Sequence, residues 1–118
     1  FHRRFGAPIP CFSDSSSKLE LNSKEADIIQ KASLIMIDEI SMMNWKLMNM
    51  FDRFLRQIMN CDTHMGGKCV VVMGDLRQCP PVVVGGRRPH IVGESVIHSD
   101  SWNHFKVHHM TKNMRVQK

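Results

Sequence analysis

Apolar residues follow two contrasting patterns along the chain, short uninterrupted runs and longer stripes with intervals of three and four. The run from Leu34 to Ile37 shows no polar alternation, which is typical of a strand covered on both faces in a parallel sheet. Residues 69–73 form a second run of this kind. The pattern therefore predicts an α/β fold built on a parallel sheet.

A long amphipathic helix is predicted between these two strands, over residues 44–60. Its polar face carries Asp52, Arg53, Arg56 and Gln57, so we interpret the Met-rich apolar stripe as core rather than as a ligand groove. A shorter helix is predicted after Asn22, which precedes Glu25 at the spacing of a capping box. The apolar stripe of the long helix contains Leu47, Met48, Phe51, Phe54, Leu55, Ile58 and Met59.

Three weaker patterns predict minor elements. Alternation over residues 18–21 indicates a short edge strand, and weak alternation over residues 106–110 indicates a third strand. Residues 90–98 are compatible with a short helix, followed by a turn that carries Trp102 and Phe105.

Two adjacent carboxylates, Asp38 and Glu39, directly follow the first predicted strand. Ligands of parallel sheets collect at the carboxyl ends of the strands, and buried carboxylates need a cationic partner. This is the Walker B pattern of nucleotide-hydrolysing P-loop proteins, in which the first carboxylate holds Mg²⁺ and the second activates the attacking water. The alternative is a core strand that ends in an acidic cap for the next helix.

Polar residues also follow the second predicted strand, where Gln78 is placed to contact a phosphate or a water, or else belongs to the surface. Arg115 follows the weak third strand and is either an arginine finger or a surface charge. Although Gly66, Gly67 and Lys68 resemble a phosphate cradle, they lead into a strand rather than a helix. The pattern G-x-x-x-x-G-K-[ST] of a true phosphate-binding loop does not occur in the chain.

Length, net charge and residue types limit the size of the unit and the class of its binding partner. The 118 residues suffice for one small domain or one lobe of a larger protein, and the net charge of +5 favours polyanions such as nucleic acid. The segment 1–12 combines cationic side chains with aromatic ones, so His2 would meet phosphates while Phe5 offers a stacking face to single-stranded nucleic acid. The alternative, which fits the composition equally well, is a solvated loop anchored by its Phe residues.

Four cysteines show no closely spaced disulfide framework, which favours reduced thiols. A zinc site drawn from them and His64 fits no standard finger spacing. No apolar run approaches the length of a membrane span, so no membrane partner is expected.

The ordered motifs resemble those of PIF-type superfamily-one DNA helicases, and their spacing is most similar to the helicases carried by Helitron transposons. They are Phe-His-x-x-Phe-Gly-x-Pro-Ile, Leu-Ile-x-Ile-Asp-Glu-x-x-Met-Met, Gly-Gly-Lys-x-Val-Val-Val-x-Gly-Asp-x-Arg-Gln-x-x-Pro-Val and Asn-Met-Arg. Leu76 and the pair Cys79-Pro80 depart from the usual family residues, but they keep apolar or small side chains at packing positions.

This resemblance implies that residues 1–118 are part of a RecA-like, three-layer P-loop NTPase motor domain that lacks its phosphate-binding loop. It implies ATP and Mg²⁺ as ligands, with Asp38 on the metal, Glu39 as general base, Gln78 on the γ-phosphate and Arg115 on the transferring phosphoryl group. His2 and Phe5 fall in the segment that resembles the first DNA-contacting motif of the family.

The function implied is an ATP-dependent 5′-to-3′ helicase that moves on single-stranded DNA and unwinds duplex DNA. The resemblance further implies work in DNA repair, recombination and telomere maintenance or in Helitron transposition, a nuclear location and a monomeric state. The alternative is a non-catalytic, nucleic-acid-binding remnant of a transposon helicase. In either case the chain by itself is expected to be inactive, because the residues that hold the phosphates are missing from it.

Overall fold

The computed structural model describes residues 3–9, 12–78, 93–112 and 114, and within them the fold is α/β. Strand β1 (Leu34–Ile37) pairs in parallel with β2 (Cys69–Val72), and the register aligns Leu34 with Cys69 and Ile37 with Val72. Helix α1 (Lys24–Lys31) precedes β1, and helix α2 (Trp45–Met59) connects the two strands. The two strands and the long helix predicted from the apolar pattern are thus confirmed.

Helix α2 supplies most of the core. Its first turn is capped by the Asn44 side chain, which accepts a hydrogen bond from the Leu47 N–H at 2.8 Å. It ends at Asn60, whose left-handed backbone lets its N–H bond the carbonyl groups of Arg56 and Gln57. The Met-rich stripe is core, as predicted: Met48, Phe51 and Leu55 are fully buried and Phe54 almost so, and Met50, which the predicted stripe did not include, is fully buried as well.

Helix α1 begins one residue later than predicted. Ser23, not Asn22, is the N-cap, and its hydroxyl accepts the Ala26 N–H at 3.2 Å. At the other end, Lys68 Nζ donates to the carbonyl oxygens of Gln30 and Ala32. A lysine at this place satisfies carbonyl groups that the helix itself leaves unpaired. Lys68 is therefore a helix cap here, in agreement with its exclusion as a phosphate-loop lysine.

The loop before β2 packs tightly on α2. Asp52 was predicted on the polar face of the helix but is buried, because it accepts hydrogen bonds from Arg56 and from the Met65 N–H of the packed loop. Burial, the largest influence, raises the pKa of Asp52, but the bonds from Arg56 and Met65 outweigh it and leave that pKa below its usual value. Asp52 is therefore ionised at neutral pH and fastens the loop to the helix.

Two predicted strands are absent. Residues 18–21 form no ladder, because their backbone is tied instead to Gly6, whose carbonyl oxygen accepts the Lys18 N–H at 2.8 Å, and to the Ser17 hydroxyl. Residues 106–110 are irregular and exposed, since the adjacent His108 and His109 break the alternation that a half-buried strand needs.

The segment predicted as a helix over residues 90–98 forms a short 3-10 turn at Val96–His98, while residues 90–92 lie outside the described part. Ser95 pairs with Asn44 in an isolated antiparallel bridge, and Val96 is buried in the core. A second 3-10 turn follows at Trp102–His104. The region after residue 93 therefore packs beside the start of α2 instead of extending the sheet.

Only one face of the sheet is covered by described residues. Ile35 and Ile37 are buried in the core, whereas Leu34 and Met36 on the opposite face are 47% and 59% exposed. Val71 of β2 is also exposed. The prediction that β1 is covered on both faces is therefore not met within the described part of the chain, where no element packs on this second face. None of the described helices combines the length and apolarity needed to cross a membrane.

Candidate functional site

The carboxyl ends of β1 and β2 meet at one edge of the sheet. Beyond the aligned pair Ile37 and Val72, the Met73 N–H donates to the Ile37 carbonyl oxygen at 2.8 Å. The Ile40 N–H donates in turn to the Met73 carbonyl oxygen, also at 2.8 Å. These two bonds extend the pairing past the strands, so that the residues after β1 and those after β2 share one short edge.

Glu39 adopts the left-handed backbone conformation, with φ of 55° and ψ of 46°. Its N–H donates to Asp38 Oδ1 at 2.9 Å, and its carbonyl oxygen accepts the Met42 N–H at 3.0 Å. The 3-10 turn Ile40–Met42 that follows is anchored by the buried side chain of Ile40. A left-handed non-glycine residue costs roughly 1–3 kcal/mol, and such strain concentrates at functional sites. Both carboxylates remain exposed at this edge.

Gly74 allows the second strand to approach this turn. A Cβ atom at residue 74 would lie 2.9 Å from the backbone nitrogen of Ile40 and 3.5 Å from the carbonyl carbon of Glu39. No side chain fits in that space, and the φ of +153° is itself unfavourable for other residues. The glycine thus lets the segment that carries Gln78 start in direct contact with the backbone of Glu39.

The turn after Gly74 is organised by Asp75. Its Oδ1 accepts the Arg77 backbone N–H at 2.9 Å and Arg77 Nε at 3.2 Å. Its Oδ2 accepts Nε2 of Gln78 at 3.2 Å, and its carbonyl oxygen accepts the Gln78 backbone N–H at 2.9 Å. The backbone bond from Arg77 is the largest influence that lowers the pKa of Asp75. Asp75 was not predicted as a site residue, although an Asp two residues before the N–H that it accepts is an Asx-turn signal.

The structure places Asp38 and Glu39 directly after β1, and the turn that carries Gln78 begins at Gly74, next to Ile40 and beyond the adjacent end of β2. Two of the other three predicted site residues, His2 and Arg115, lie outside the described residues. Their roles stay predictions from the sequence.

Phe5 is not the exposed stacking face that was predicted. Its ring is 9% exposed and meets the ring of Phe51 edge-on, with the centroids 4.7 Å apart. The Ser17 hydroxyl donates to the Phe5 carbonyl oxygen at 2.6 Å, which fixes the loop against α2. An aromatic ring gains more from burial in such a pair than from solvent contact, so the anchoring alternative describes this residue. Arg3 and Arg4, in contrast, are exposed.

The carboxylate of Asp38 has the chemistry that suits Mg²⁺, whereas the zinc site considered from the sequence includes Cys79, which lies outside the described residues. Among the described residues no group of three or more His, Cys, Asp or Glu side chains is close enough to enclose a metal. Mg²⁺ is commonly bound through one carboxylate together with water and substrate phosphates, which the exposed Asp38 carboxylate would suit. The thiol of Cys61 contacts the Thr63 hydroxyl, and His64 Nδ1 pairs with Arg56.

The sequence profile of the family described as PIF1-like helicase matches residues 1–118. The chain belongs to the PIF1-like helicase family. It is 33% identical over 93 residues to an ATP-dependent DNA helicase Pif1 from Psychrobacter sp. strain PRwf-1, a match that covers 77% of this chain and 14% of that protein. The family predicted from the motifs is thus confirmed.

Solved Pif1 structures have the same fold. A Bacteroides Pif1 helicase in complex with ADP-AlF3 and ssDNA is 28% identical, with a TM-score of 0.71 over 85% of this chain and 24% of its own. A structure described as DNA unwinding at forked dsDNA by two coordinating Pif1 helicases is 31% identical, with a TM-score of 0.69 over 84% of this chain and 25% of its own. The PIF1-like chain thus has the RecA-like P-loop fold, and it spans about a quarter or less of the proteins that it matches.

Proposed function

We propose that the intact protein containing this chain couples ATP hydrolysis to 5′-to-3′ movement along single-stranded DNA and to unwinding of duplex DNA. The observation that carries this proposal is the shared strand edge, where Asp38 and Glu39 follow β1 and the turn that carries Gln78 starts from the close approach of Gly74 to Ile40. A Pif1 helicase of the same fold is described with ADP-AlF3 and ssDNA, which supports both ligands. In this proposal residues 1–118 form one part of the first motor domain.

Asp38 would hold Mg²⁺, whose chemistry is to neutralise charge on the phosphate oxygens of ATP. Glu39 would accept a proton from the attacking water, for which its exposed carboxylate at the strand edge is suited. Gln78 would contact the γ-phosphate beside that water. The roles of Arg115 at the transferring phosphoryl group and of His2 at DNA rest on the family motifs alone.

The left-handed backbone of Glu39 supports its assignment as the base. This conformation turns the chain sharply at the strand end, and the buried Ile40 holds the turn in place. A base must be held in one position relative to the water that it deprotonates, since misplacement by about 1 Å can cost a hundredfold in rate. Strain held by the surrounding packing is one way to fix that position.

The experiment that tests this proposal is ATP hydrolysis by the intact protein with and without single-stranded DNA, beside its Glu39→Gln variant. We expect hydrolysis that depends on DNA, and a loss of roughly 10²–10⁴-fold in the variant, because glutamine cannot take the proton. Glu25→Gln is the matched control, since Glu25 is exposed in the first turn of α1. Nucleotide binding should persist in both variants.

Unchanged turnover in Glu39→Gln would refute the role of Glu39. A folded intact protein that binds DNA without hydrolysing ATP would instead establish the alternative, a non-catalytic nucleic-acid-binding remnant. The direction of movement is read from unwinding of partial duplexes that carry a 5′ or a 3′ single-stranded tail, and only the 5′ tail should support it.

A nuclear location, a monomeric state and work in repair, recombination and telomere maintenance or in Helitron transposition are further parts of the proposal. Their support is the likeness of the ordered motifs to helicases of eukaryotic genomes and their transposons. Imaging of the tagged intact protein tests the location, and its mass in solution tests the monomeric state.

A further inference from the structure

The side chain of Gln78 is held in one orientation by its neighbour Asp75. The carboxylate of Asp75 can only accept hydrogen bonds, so the atom of the Gln78 amide that faces it at 3.2 Å must be nitrogen. One N–H of that amide is thereby engaged, while the second N–H and the carbonyl oxygen Oε1 remain. Within the described part of the chain Oε1 contacts no hydrogen-bond donor.

We propose that Asp75 is a positioning residue of the hydrolysis site, which fixes the Gln78 amide with Oε1 as an acceptor for water and the second N–H as a donor for a phosphate oxygen. This inference rests on the proposed function, in which Gln78 contacts the γ-phosphate. It adds Asp75 to that contact and states which side of the Gln78 amide donates a hydrogen bond and which side accepts one.

Polarity matters at this position because an amide that rotates by half a turn exchanges its donor and its acceptor. An exposed glutamine rotates freely in water, and Gln78 is exposed. A carboxylate on one side removes this freedom, because the rotated amide would set its oxygen against the negative charge of Asp75. Hydrogen bonds from Arg77 lower the pKa of Asp75, so the carboxylate is charged at neutral pH.

The side-chain contacts of Asp75 with Arg77 and Gln78 add little to the stability of the fold. Arg77, the other partner of Asp75, has a side chain that is 92% exposed, and the Asp75 side chain itself is 35% exposed. Exposed ion pairs and hydrogen bonds of this kind contribute little to stability. Oδ1 of Asp75 shapes the turn through the Arg77 backbone, whereas the contact of Oδ2 is better explained by the Gln78 amide that it orients than by the energy it adds to the fold.

The position of Asp75 is fixed relative to Glu39 through the backbone. Asp75 directly follows Gly74, which lies against the Ile40 nitrogen, and Ile40 is bonded to Met73. Gly74 and Ile40 make the close backbone contact. Asp75, which orients the Gln78 amide, follows Gly74 directly, and Glu39 directly precedes Ile40. Such a short connection suits two groups that act on the same water and phosphate.

A double-mutant cycle in the intact protein tests the inference, with kcat for DNA-stimulated ATP hydrolysis as the readout. We expect Asp75→Ala to lower kcat by about 10- to 100-fold, the usual effect of losing a group that orients another at a reactive site. If Asp75 acts through Gln78, adding Asp75→Ala to Gln78→Ala should cause no further loss. Losses that multiply in the double variant would overturn the proposal.

Asp27→Ala is the matched control, because Asp27 makes an exposed ion pair with Lys31 on α1, and it should leave kcat unchanged. Asp75→Asn covers the case in which Asp75→Ala does not fold. It keeps the shape but offers one acceptor oxygen, which cannot serve both Arg77 and Gln78. We expect reduced kcat with an unchanged thermal midpoint, and full activity in Asp75→Asn would overturn the proposal.

A second readout does not depend on catalysis. In the nucleotide-free protein, the two N–H protons of the Gln78 side chain should give separate NMR signals, one of them shifted by the bond to Asp75. Asp75→Ala should bring that signal to the position of a free glutamine amide, and no change would overturn the proposal. An intact protein with this signal and no hydrolysis would instead refute the proposed function while leaving the Asp75 contact established.

Discussion

Gly66 is a position where a single methyl group should damage the fold directly. Its φ is +60°, and a Cβ atom there would lie 2.4 Å from the carbonyl oxygen of Leu55 and 3.1 Å from Cβ of Met59. The first of these contacts is with the backbone of α2, which no side-chain rotation can relieve. Gly66→Ala therefore forces the loop before β2 away from the helix.

The expected cost has two parts. A left-handed backbone costs an L-residue about 1–2 kcal/mol. Displacing packed backbone to admit an added carbon costs a further ~1–3 kcal/mol. The sum of about 2–5 kcal/mol is a large share of the ~5–15 kcal/mol that stabilises a typical domain.

Neighbouring glycines separate these two parts. Gly67 has a φ of +71°, but the nearest atom to its Cβ position is Cys61 Sγ at 4.0 Å, so Gly67→Ala should show the conformational cost alone. Among the described residues none lies within 4 Å of the Cβ position of Gly93, and its backbone is not left-handed, so Gly93→Ala should have little effect. The difference between Gly66→Ala and Gly67→Ala then measures the steric part.

Hydrogen exchange of the α2 amides in the intact protein measures the local free energy of opening in these variants. We expect the order of destabilisation Gly66→Ala, then Gly67→Ala, then Gly93→Ala. Equal effects at Gly66 and Gly67 would refute the reasoning, because the contact with Leu55 would then contribute nothing.

Two other predictions concern pH and salt. The folded-state pKa of Asp52 lies below its usual 3.8, so the stability it contributes is full above the unfolded value and is lost as the pH falls through 3.8 toward the folded pKa. Acid titration of the thermal midpoint should show this loss in the wild type but not in Asp52→Asn, and identical curves would contradict it. Binding of a single-stranded oligonucleotide by the intact protein should weaken by orders of magnitude between roughly 50 and 200 mM salt, as fluorescence anisotropy would measure. A flat response would remove the case for phosphate contacts.

The parts of the fold that the sequence predicted correctly are those with strong local patterns. Helix α2 repeats its apolar spacing over four turns, and its cap Asn44 stands immediately before that pattern. Strands β1 and β2 are unbroken apolar runs, so their type and their carboxyl ends were both predictable. The candidate site followed from those ends, because parallel pairing brings them to one edge.

The wrong predictions depended on contacts between distant residues. Nothing near Phe5 in the sequence indicates that its ring meets Phe51, forty-six positions away. The alternation over residues 18–21 was too short to outweigh the bond of Lys18 to Gly6, twelve positions away, and that of Leu19 to Ser17. Coverage of β1 on both faces is a property of the whole sheet, and Met36 alone cannot indicate what packs against it.

The backbone contacts at the strand edge determine how Glu39 and Gln78 are placed relative to each other, but they do not determine where ATP is held. The placement of Glu39 relative to Gln78 depends on the Ile40 to Met73 bond, on Gly74 and on Asp75, all within residues 1–118. These contacts do not place the phosphates of ATP, because Lys68 caps a helix and no phosphate-binding loop pattern occurs in the sequence. Substitutions at Gly74 or Asp75 should therefore impair turnover more than nucleotide affinity.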